Sequence, residues 1–317
     1  GDWHRYVEHL VAAHRANPNH VGIFPIIRGG GDRPASQLGN LLSGIQNIAA
    51  PSGLGASEPV LEMACRDLAQ GVTQMIRGPE SRMQVFISHT RRESEEEEDV
   101  PELIRLVRSI IAETRLRSFF DANDLQPGRN WDDKLRAEAS DSALLSLRTD
   151  LYASRVWCQR EMLLAKQAGM PIVILDSLGH GEERGSFLMD HVPRIPIRES
   201  GGGWSKEDIR RGLNLLVDEA LKREIWRLHQ SLLGDSAHPH VDWWAPHAPE
   251  PVTLTHWLLE SSSVDVLSDG RVVILHPDPP LGEDEAMSLE QVVSLAGYEG
   301  ELIITTPRGL AARGGHL

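Results

Sequence analysis

Residues 143–175, with the sequence ALLSLRTDLYASRVWCQREMLLAKQAGMPIVIL, decide the fold class of this chain. The segment begins and ends with short apolar runs, 143–147 and 171–175, which have the length and composition of buried strands. Between them, residues 154–168 have the length and composition of a helix. Two apolar strands joined by a helix are typical of a parallel sheet that is covered by helices on both faces.

The same alternation extends towards the N-terminus. The pattern predicts strands at 83–88 and 118–121, and helices at 100–114 and 131–139. We therefore predict one α/β domain with a parallel sheet over residues 82–198. In such sheets, ligands bind in the crevice beyond the carboxyl ends of the strands.

Three further regions surround this domain. Residues 1–80 form a helical or mixed region, with a long helix predicted at 59–76. Residues 199–261 form a helical connector that contains five of the eight tryptophans. Residues 262–317 resemble a partial, Rossmann-like α/β unit, with one short strand before a helix and one after it.

Composition and charge argue against several classes of protein. The 317 residues include 32 Lys and Arg against 46 Asp and Glu, a formal net charge of −14, which argues against a general nucleic-acid-binding surface. No apolar run approaches the length of a membrane span, and the start does not resemble a signal peptide. The two cysteines form neither a disulfide framework nor a zinc motif, so we expect a reducing, cytoplasmic setting. Because residue 1 is Gly rather than Met, we also expect that further chain preceded it.

Three short motifs follow one another in the 82–198 region. They are Phe86-Ile87-Ser88-His89 at a strand end, the loop Asp124-Leu125-Gln126-Pro127-Gly128, and Trp157-Cys158-x-x-Glu161 on a helix. Together and in this order they resemble a Toll/interleukin-1 receptor (TIR) domain of the bacterial kind, over about residues 83–198. The resemblance implies a flavodoxin-like fold.

The resemblance also implies an activity, the cleavage of the bond between nicotinamide and ribose in NAD⁺. In TIR enzymes the key residue is a glutamate in a Trp-x-x-x-Glu setting, which here falls on Trp157 and Glu161. By similarity Glu161 is the catalytic residue, NAD⁺ is a substrate, and no cofactor or metal is expected. The chemistry is consistent, since a carboxylate beside the ribose favours the positive charge that develops when nicotinamide departs.

The resemblance also implies roles for two loops and two tryptophans, although less directly. The loop after the first strand would lie next to the NAD⁺ pyrophosphate or ribose through Ser88, His89, Thr90 and Arg91. The so-called BB loop, which in family assemblies reaches a neighbouring protomer, would contain Asp124, Leu125, Pro127 and Gly128. Trp131 or Trp157 would stack on nicotinamide, although a core position for Trp157 is equally consistent with the sequence.

Other notable residues have simpler interpretations. We expect Ser154 to cap the helix that carries Glu161, and Cys158 to be a small buried apolar residue. The histidine-rich segment 238–247 has no metal-ligand spacing, so packing is the favoured interpretation. The acidic tract 93–99 is expected to face solvent, and residues 276–280 to form a turn.

The lead hypothesis from the sequence is therefore a TIR effector that cleaves NAD⁺ in bacterial antiphage defence. It would be activated by homo-oligomerisation through the TIR domains, in response to an unidentified trigger. Two alternatives remain open: a non-catalytic TIR domain that acts as a homotypic scaffold, and an enzyme related to nucleoside deoxyribosyltransferases. Release of nicotinamide from NAD⁺, or of a free base from a deoxynucleoside, distinguishes the three.

Overall fold

A computed structural model describes residues 2–18, 20–28, 36–50, 58–78, 83–90, 100–114, 116–119, 142–182, 184–199, 203–234, 241–261 and 270–315. The strands in these ranges are β1 (Ile26–Arg28), β2 (Ile48–Ala50), β3 (Gln84–Ser88), β4 (Arg117–Phe119), β5 (Ser142–Arg148), β6 (Ile172–Asp176), β7 (Arg194–Pro196), β8 (Trp243–Trp244), β9 (Arg271–Leu275) and β10 (Glu301–Thr305). The α-helices are α1 (Asp2–Ala16), α2 (Gln37–Leu41), α3 (Glu58–Arg77), α4 (Val100–Ala112), α5 (Val156–Gln167), α6 (Lys206–Gly234), α7 (Pro251–Ser261), α8 (Glu283–Leu295) and α9 (Pro307–Ala312).

The central feature is a five-stranded sheet with the order β4-β3-β5-β6-β7, in which every neighbouring pair is parallel. All seven residues of β5 are buried, which explains why its first six residues, 142–147, are small or apolar. The predicted α/β class with a parallel sheet is confirmed.

The edge strand β7 was not predicted from the sequence. It has only three residues, it ends in Pro196, and Pro193 precedes it. Proline cannot donate to a neighbouring strand and is therefore tolerated only at sheet edges, which is where β7 pairs with β6.

Helices cover both faces of this sheet. Alternate residues of a strand point to opposite faces, so Val85 and Ile87 belong to one core and Phe86 belongs to another. The first core is closed by α4 and by the N-terminal half of α6, and the second by α5. Gly212 of α6 lies against Leu175, where a larger side chain would collide, so the helix packs closely on the sheet.

A second parallel sheet, with the order β10-β9-β8, forms the C-terminal unit. Its core includes Leu254 of α7, Leu289 of α8, and Val272 and Ile274 of β9. The predicted strand-helix-strand pattern in this region is confirmed. The structure adds that the Trp243–Trp244 pair contributes the third strand, β8, and that Trp243 stacks on Trp257 with ring centroids 5.2 Å apart.

The N-terminal region contacts this assembly through α3, which packs along α6. At that contact, Arg77 Nε donates to Glu224 Oε1 at 2.8 Å, and Arg227 Nη1 donates to the same oxygen at 2.8 Å. Both Arg77 and Glu224 are almost fully buried. Among the helices of the described ranges, none combines the length and the apolar character needed to cross a membrane.

Candidate active site

The candidate site lies where β3 and β5 end. Ser88 is the last residue of β3 and pairs in register with Ser146 of β5. After β5 the chain passes through a short 3₁₀ turn, Tyr152–Ser154, and enters α5, which carries Glu161. The local order of strand, turn and helix thus brings a helical glutamate to the carboxyl end of a neighbouring strand, which is the usual ligand-binding edge of a parallel sheet.

A chain of two short hydrogen bonds connects Tyr152, Ser88 and Glu161. The Ser88 hydroxyl donates to Glu161 Oε2 at 2.5 Å, and the oxygens of Ser88 and Tyr152 are 2.6 Å apart. A serine hydroxyl has a single hydrogen, so a Ser88 that donates to the carboxylate accepts from the Tyr152 phenol. The order of donation is therefore Tyr152 to Ser88 to Glu161.

All three members of this chain are buried, with exposed fractions of 0% for Tyr152, 1% for Ser88 and 5% for Glu161. Burial raises the pKa of the Tyr152 phenol well above its ordinary value, and the nearby Cys158 and Glu161 act in the same direction. The phenol is thus a fixed hydrogen donor at neutral pH. Glu161 is therefore not a solvated helix residue, because its carboxylate is almost fully buried and accepts from the buried Ser88 hydroxyl.

The start of α5 differs from the prediction that Ser154 is its N-cap. Arg155 occupies the N-cap position and provides no side-chain cap, whereas Ser154 lies in the preceding 3₁₀ turn and its hydroxyl donates to Leu151 O at 2.8 Å. The prediction was wrong because the turn holds Ser154 one residue too early. Gln159 instead reaches back from α5, and its Nε2 donates to Ala153 O at 2.6 Å.

The first turn of α5 is exposed although Glu161 is buried. Val156 is 79% exposed and Trp157 is 52% exposed, so the core interpretation of Trp157 is excluded. The Arg160 guanidinium lies over the Trp157 ring, 5.9 Å from its centroid. An indole that is half exposed one helical turn before Glu161 is available to stack on a flat molecule.

Two further predicted residues lie directly after β3. The imidazole Nδ1 of His89 is 2.9 Å from Thr90 O, and the Thr90 hydroxyl lies 3.4 Å from that of Thr149. Cys158 is buried, as expected, and its Sγ lies 3.7 Å from His89 O. The segment after β3 is therefore tied to the segment after β5 and to α5.

Several predicted site residues lie outside the described residues, and their positions stay predictions. They are Arg91, Asp124, Leu125, Pro127, Gly128 and Trp131. The acidic tract 93–99 lies outside them as well.

Sequence analysis missed a cluster of charges that fixes the neighbouring loops. Arg148, the last residue of β5, donates to both oxygens of Glu182, through Nε at 2.8 Å and Nη2 at 2.5 Å. Its Nη1 donates to Asp176 Oδ1 at 3.2 Å. Asp150 accepts three backbone N–H groups, from residues 179, 180 and 181, at 2.7 to 3.1 Å. In the sequence, this cluster was indicated only by Arg148, a charged residue at the end of an otherwise apolar strand.

The part of the chain that the structure describes contains no group of three or more His, Cys, Asp or Glu side chains arranged to hold a metal ion. Residues 238 and 240 of the histidine-rich segment lie outside that part. His247 lies within it and is partly buried, and desolvation lowers its pKa from 6.5 to about 4, with Arg223 acting in the same direction. It is therefore a neutral packed side chain near pH 7.

The chain matches no protein-family model and no curated protein. Among solved structures, part of the chain is similar to the TIR domains in the structure of the activated Roq1 resistosome directly recognizing the pathogen effector XopQ. The similarity covers 29% of this chain and 57% of that chain, with 22% sequence identity and a TM-score of 0.23. At these values, the likeness by itself carries no argument about function.

Proposed function

We propose that this protein is an NAD⁺ glycohydrolase in which Glu161 is the catalytic residue. The observation that carries the proposal is the position of Glu161, buried at the ligand-binding edge of a parallel sheet and hydrogen-bonded by Ser88 at 2.5 Å. The motif order from Ser88 to Glu161 supports it, because it resembles that of TIR enzymes. The half-exposed Trp157 supports it further as a stacking surface for nicotinamide.

In the proposed reaction, the bond between ribose C1′ and the nicotinamide nitrogen breaks, and its electron pair leaves with neutral nicotinamide. The ribose becomes an oxocarbenium-like cation. The Glu161 carboxylate accepts a hydrogen bond from a ribose hydroxyl and stabilises the positive charge. Water then adds to C1′ and loses a proton, which gives ADP-ribose; attack by the adenine ring of the same molecule would give a cyclic product instead.

The hydrogen-bond chain gives Ser88 and Tyr152 a positioning role in this reaction. Ser88 holds one carboxylate oxygen, and the Tyr152 phenol fixes the direction of the serine hydroxyl. A carboxylate that is already oriented does not have to reorganise as charge develops on the sugar, which is the main advantage of preorganised sites. His89, Thr90 and Arg91 are proposed to contact the dinucleotide, with Arg91 as the partner of the pyrophosphate.

Glu161→Gln is the decisive variant, because it keeps the size and the buried position and removes the negative charge. We expect the rate of nicotinamide release from NAD⁺, followed by liquid chromatography, to fall about 100-fold or more. The matched control is Glu290→Gln, which makes the same change at an exposed position of α8 and should leave the rate unchanged. Unchanged turnover in Glu161→Gln would reject Glu161 as the catalyst.

Assembly and biological role belong to the same proposal. We propose that protomers associate through their TIR-like domains, with the predicted BB loop at the contact, and that an unidentified trigger drives this in antiphage defence. The assay is therefore performed on dilute protein and on protein assembled by a crowding agent. If neither condition releases nicotinamide, the scaffold alternative is favoured, and release of a free base from a deoxynucleoside would favour the deoxyribosyltransferase-like alternative.

A further inference from the structure

A cavity lies between the five-stranded sheet domain and the C-terminal unit. Its volume is about 560 Å³, within the range of small-molecule sites. The loops that follow β8, β9 and β10 all line it, through residues 246–250, 277–281 and Pro307. The opposite wall is formed by the end of α5, the start of β6 and one face of α6.

This position has a topological meaning. The three strands of the C-terminal sheet are parallel, so their carboxyl ends meet at one edge. Ligands of open parallel α/β sheets bind at that edge, beyond the strand ends. Residues 277–280, which belong to the segment 276–280 that the sequence predicted to be a turn, are therefore part of a cavity wall at this edge.

The charged side chains of the cavity wall are mostly paired with one another, and Lys166 Nζ lies 3.8 Å from Glu250 Oε1. Three of its four carboxylates are engaged: Glu219 pairs with Lys222, Glu250 accepts from the N–H groups at the start of α7, and Glu285 accepts from Gly282 N. The fourth, Asp278, lies close to His276.

Among the described Lys and Arg residues that line the cavity, Arg223 has no ion-pair partner. Its Nη2 donates to Ala168 O at 3.1 Å, its Nη1 is buried without a hydrogen-bond partner, and no carboxylate of the described residues forms an ion pair with it. The adjacent carboxylate, Glu224, is already bound by Arg77 and Arg227.

Two other buried nitrogens in the cavity wall lack partners within the described structure. They are Nε1 of Trp226, which is 2% exposed, and Nδ1 of His247. Burial, followed by Arg227, lowers the pKa of Arg223 to about 10, so its guanidinium remains charged at pH 7. Arg223 and Lys166 in turn help to lower the pKa of His247, because both cations lie near it. A nitrogen of a charged guanidinium and an indole N–H that both lack acceptors among the described residues favour an oxyanion.

Much of the remaining wall is apolar. It includes Met170, Ile172, Ile225 and Leu281, together with prolines from both units. Such walls select the flat or apolar body of a ligand, while a few polar groups fix its orientation.

We propose that this cavity binds a small organic anion, whose phosphate or carboxylate group is held by Arg223 and whose apolar body lies against the wall. The site is separate from Glu161, and the proposal does not depend on the NAD⁺ cleavage proposed above. Lys166 lines the cavity and lies five residues after Glu161 on the same helix. A ligand in the cavity would therefore contact the helix that carries the candidate catalyst.

The test is isothermal titration calorimetry of the full chain with four probes: phenyl phosphate, benzoate, inorganic phosphate and phenol. We expect saturable binding of phenyl phosphate or benzoate, weaker binding of inorganic phosphate, and none of phenol. Arg223→Gln should weaken binding of the organic anion about tenfold or more, because a charged hydrogen bond is lost. Arg5→Gln, which makes the same change on an exposed part of α1, should not alter it.

A second variant guards against misfolding of Arg223→Gln. Ile225→Trp keeps every charge and places a larger side chain at a partly exposed position of the wall, so it should also weaken binding. Thermal melting without probe shows whether each variant is folded. The proposal is overturned if no organic anion binds saturably below millimolar concentrations, or if the folded variants bind it as tightly as the unmodified protein.

Discussion

The chain from Tyr152 through Ser88 to Glu161 makes a quantitative prediction, because removal of the middle group affects both neighbours. In Ser88→Ala, the buried phenol loses its acceptor and the carboxylate loses a charged hydrogen bond. Leaving such groups unsatisfied costs about 1–3 kcal/mol for each. We therefore expect Ser88→Ala to lower the free energy of unfolding by about 3–4 kcal/mol.

Tyr152→Phe removes a single neutral hydrogen bond and should cost about 1 kcal/mol in the unmodified protein. In the Ser88→Ala background the same change removes a phenol that has lost its acceptor at 2.6 Å, so it should restore about 1 kcal/mol. The sign of the Tyr152→Phe effect thus reverses between the two backgrounds. Urea denaturation, followed by far-ultraviolet circular dichroism at pH 7, measures all four proteins of this double-mutant cycle.

Tyr298→Phe is a matched control for the cycle. Tyr298 is also buried, at 6% exposure, but its hydroxyl donates to Glu301 O in the C-terminal unit, and it makes no contact with Ser88. Its cost should be the same with and without the Ser88 hydroxyl. If Tyr152→Phe were also additive with Ser88→Ala, within about 0.5 kcal/mol, the three groups would not act as one chain and the reasoning would be refuted.

Two further predictions concern the ionisable side chains of His247 and Glu224. The pKa of His247 is lowered from 6.5 to about 4, so the unfolded chain binds the proton more readily than the folded chain. The free energy of unfolding should therefore decrease by up to about 3 kcal/mol as the pH is lowered from 6.5 to 4. Melting curves across this range should show a smaller loss of stability for His247→Gln than for the unmodified protein, and an identical loss would contradict the assignment. Glu224→Gln leaves the cations of Arg77 and Arg227 without their shared carboxylate and should cost about 3–5 kcal/mol in urea denaturation. Glu219→Gln on the same helix is the control, since Glu219 is more exposed and its pairing with a surface lysine is worth at most about 1 kcal/mol. If both variants lowered the free energy of unfolding equally, the Glu224 ion pairs would contribute nothing to stability.

Much of the fold could be predicted because its elements are encoded locally. The strand at 83–88, the helix at 100–114 and the strand at 171–175 were found within two residues of β3, α4 and β6. Each has an apolar pattern with the period of its own secondary structure, which does not depend on distant residues. By contrast β7 was missed, because three residues next to prolines have no such period and form a strand only by pairing with β6.

The candidate site could be predicted only in part. The residue types and order from Ser88 to Glu161 indicated a chemistry, but the contacts among them join positions 64 and 73 residues apart. Tyr152 had no signal of its own, and Trp157 was equally consistent with a core position. Spacing of four residues on a helix places side chains on one face but does not fix how deep each turn is buried.

The sequence by itself determined a parallel α/β domain, because alternating periods of two and 3.6 residues specify strands and helices before any long-range contact forms. It also carried the motif order, similar to that of TIR enzymes, on which the proposal of Glu161 as the catalytic carboxylate rests. Only the tertiary structure decided that Glu161 is buried against Ser88 while Trp157 is exposed, and that Arg223 lines a cavity with no ion-pair partner among the described residues. The physical reason is that burial and hydrogen-bond partners depend on how the helices pack onto the two sheets, and that packing joins residues far apart in the chain.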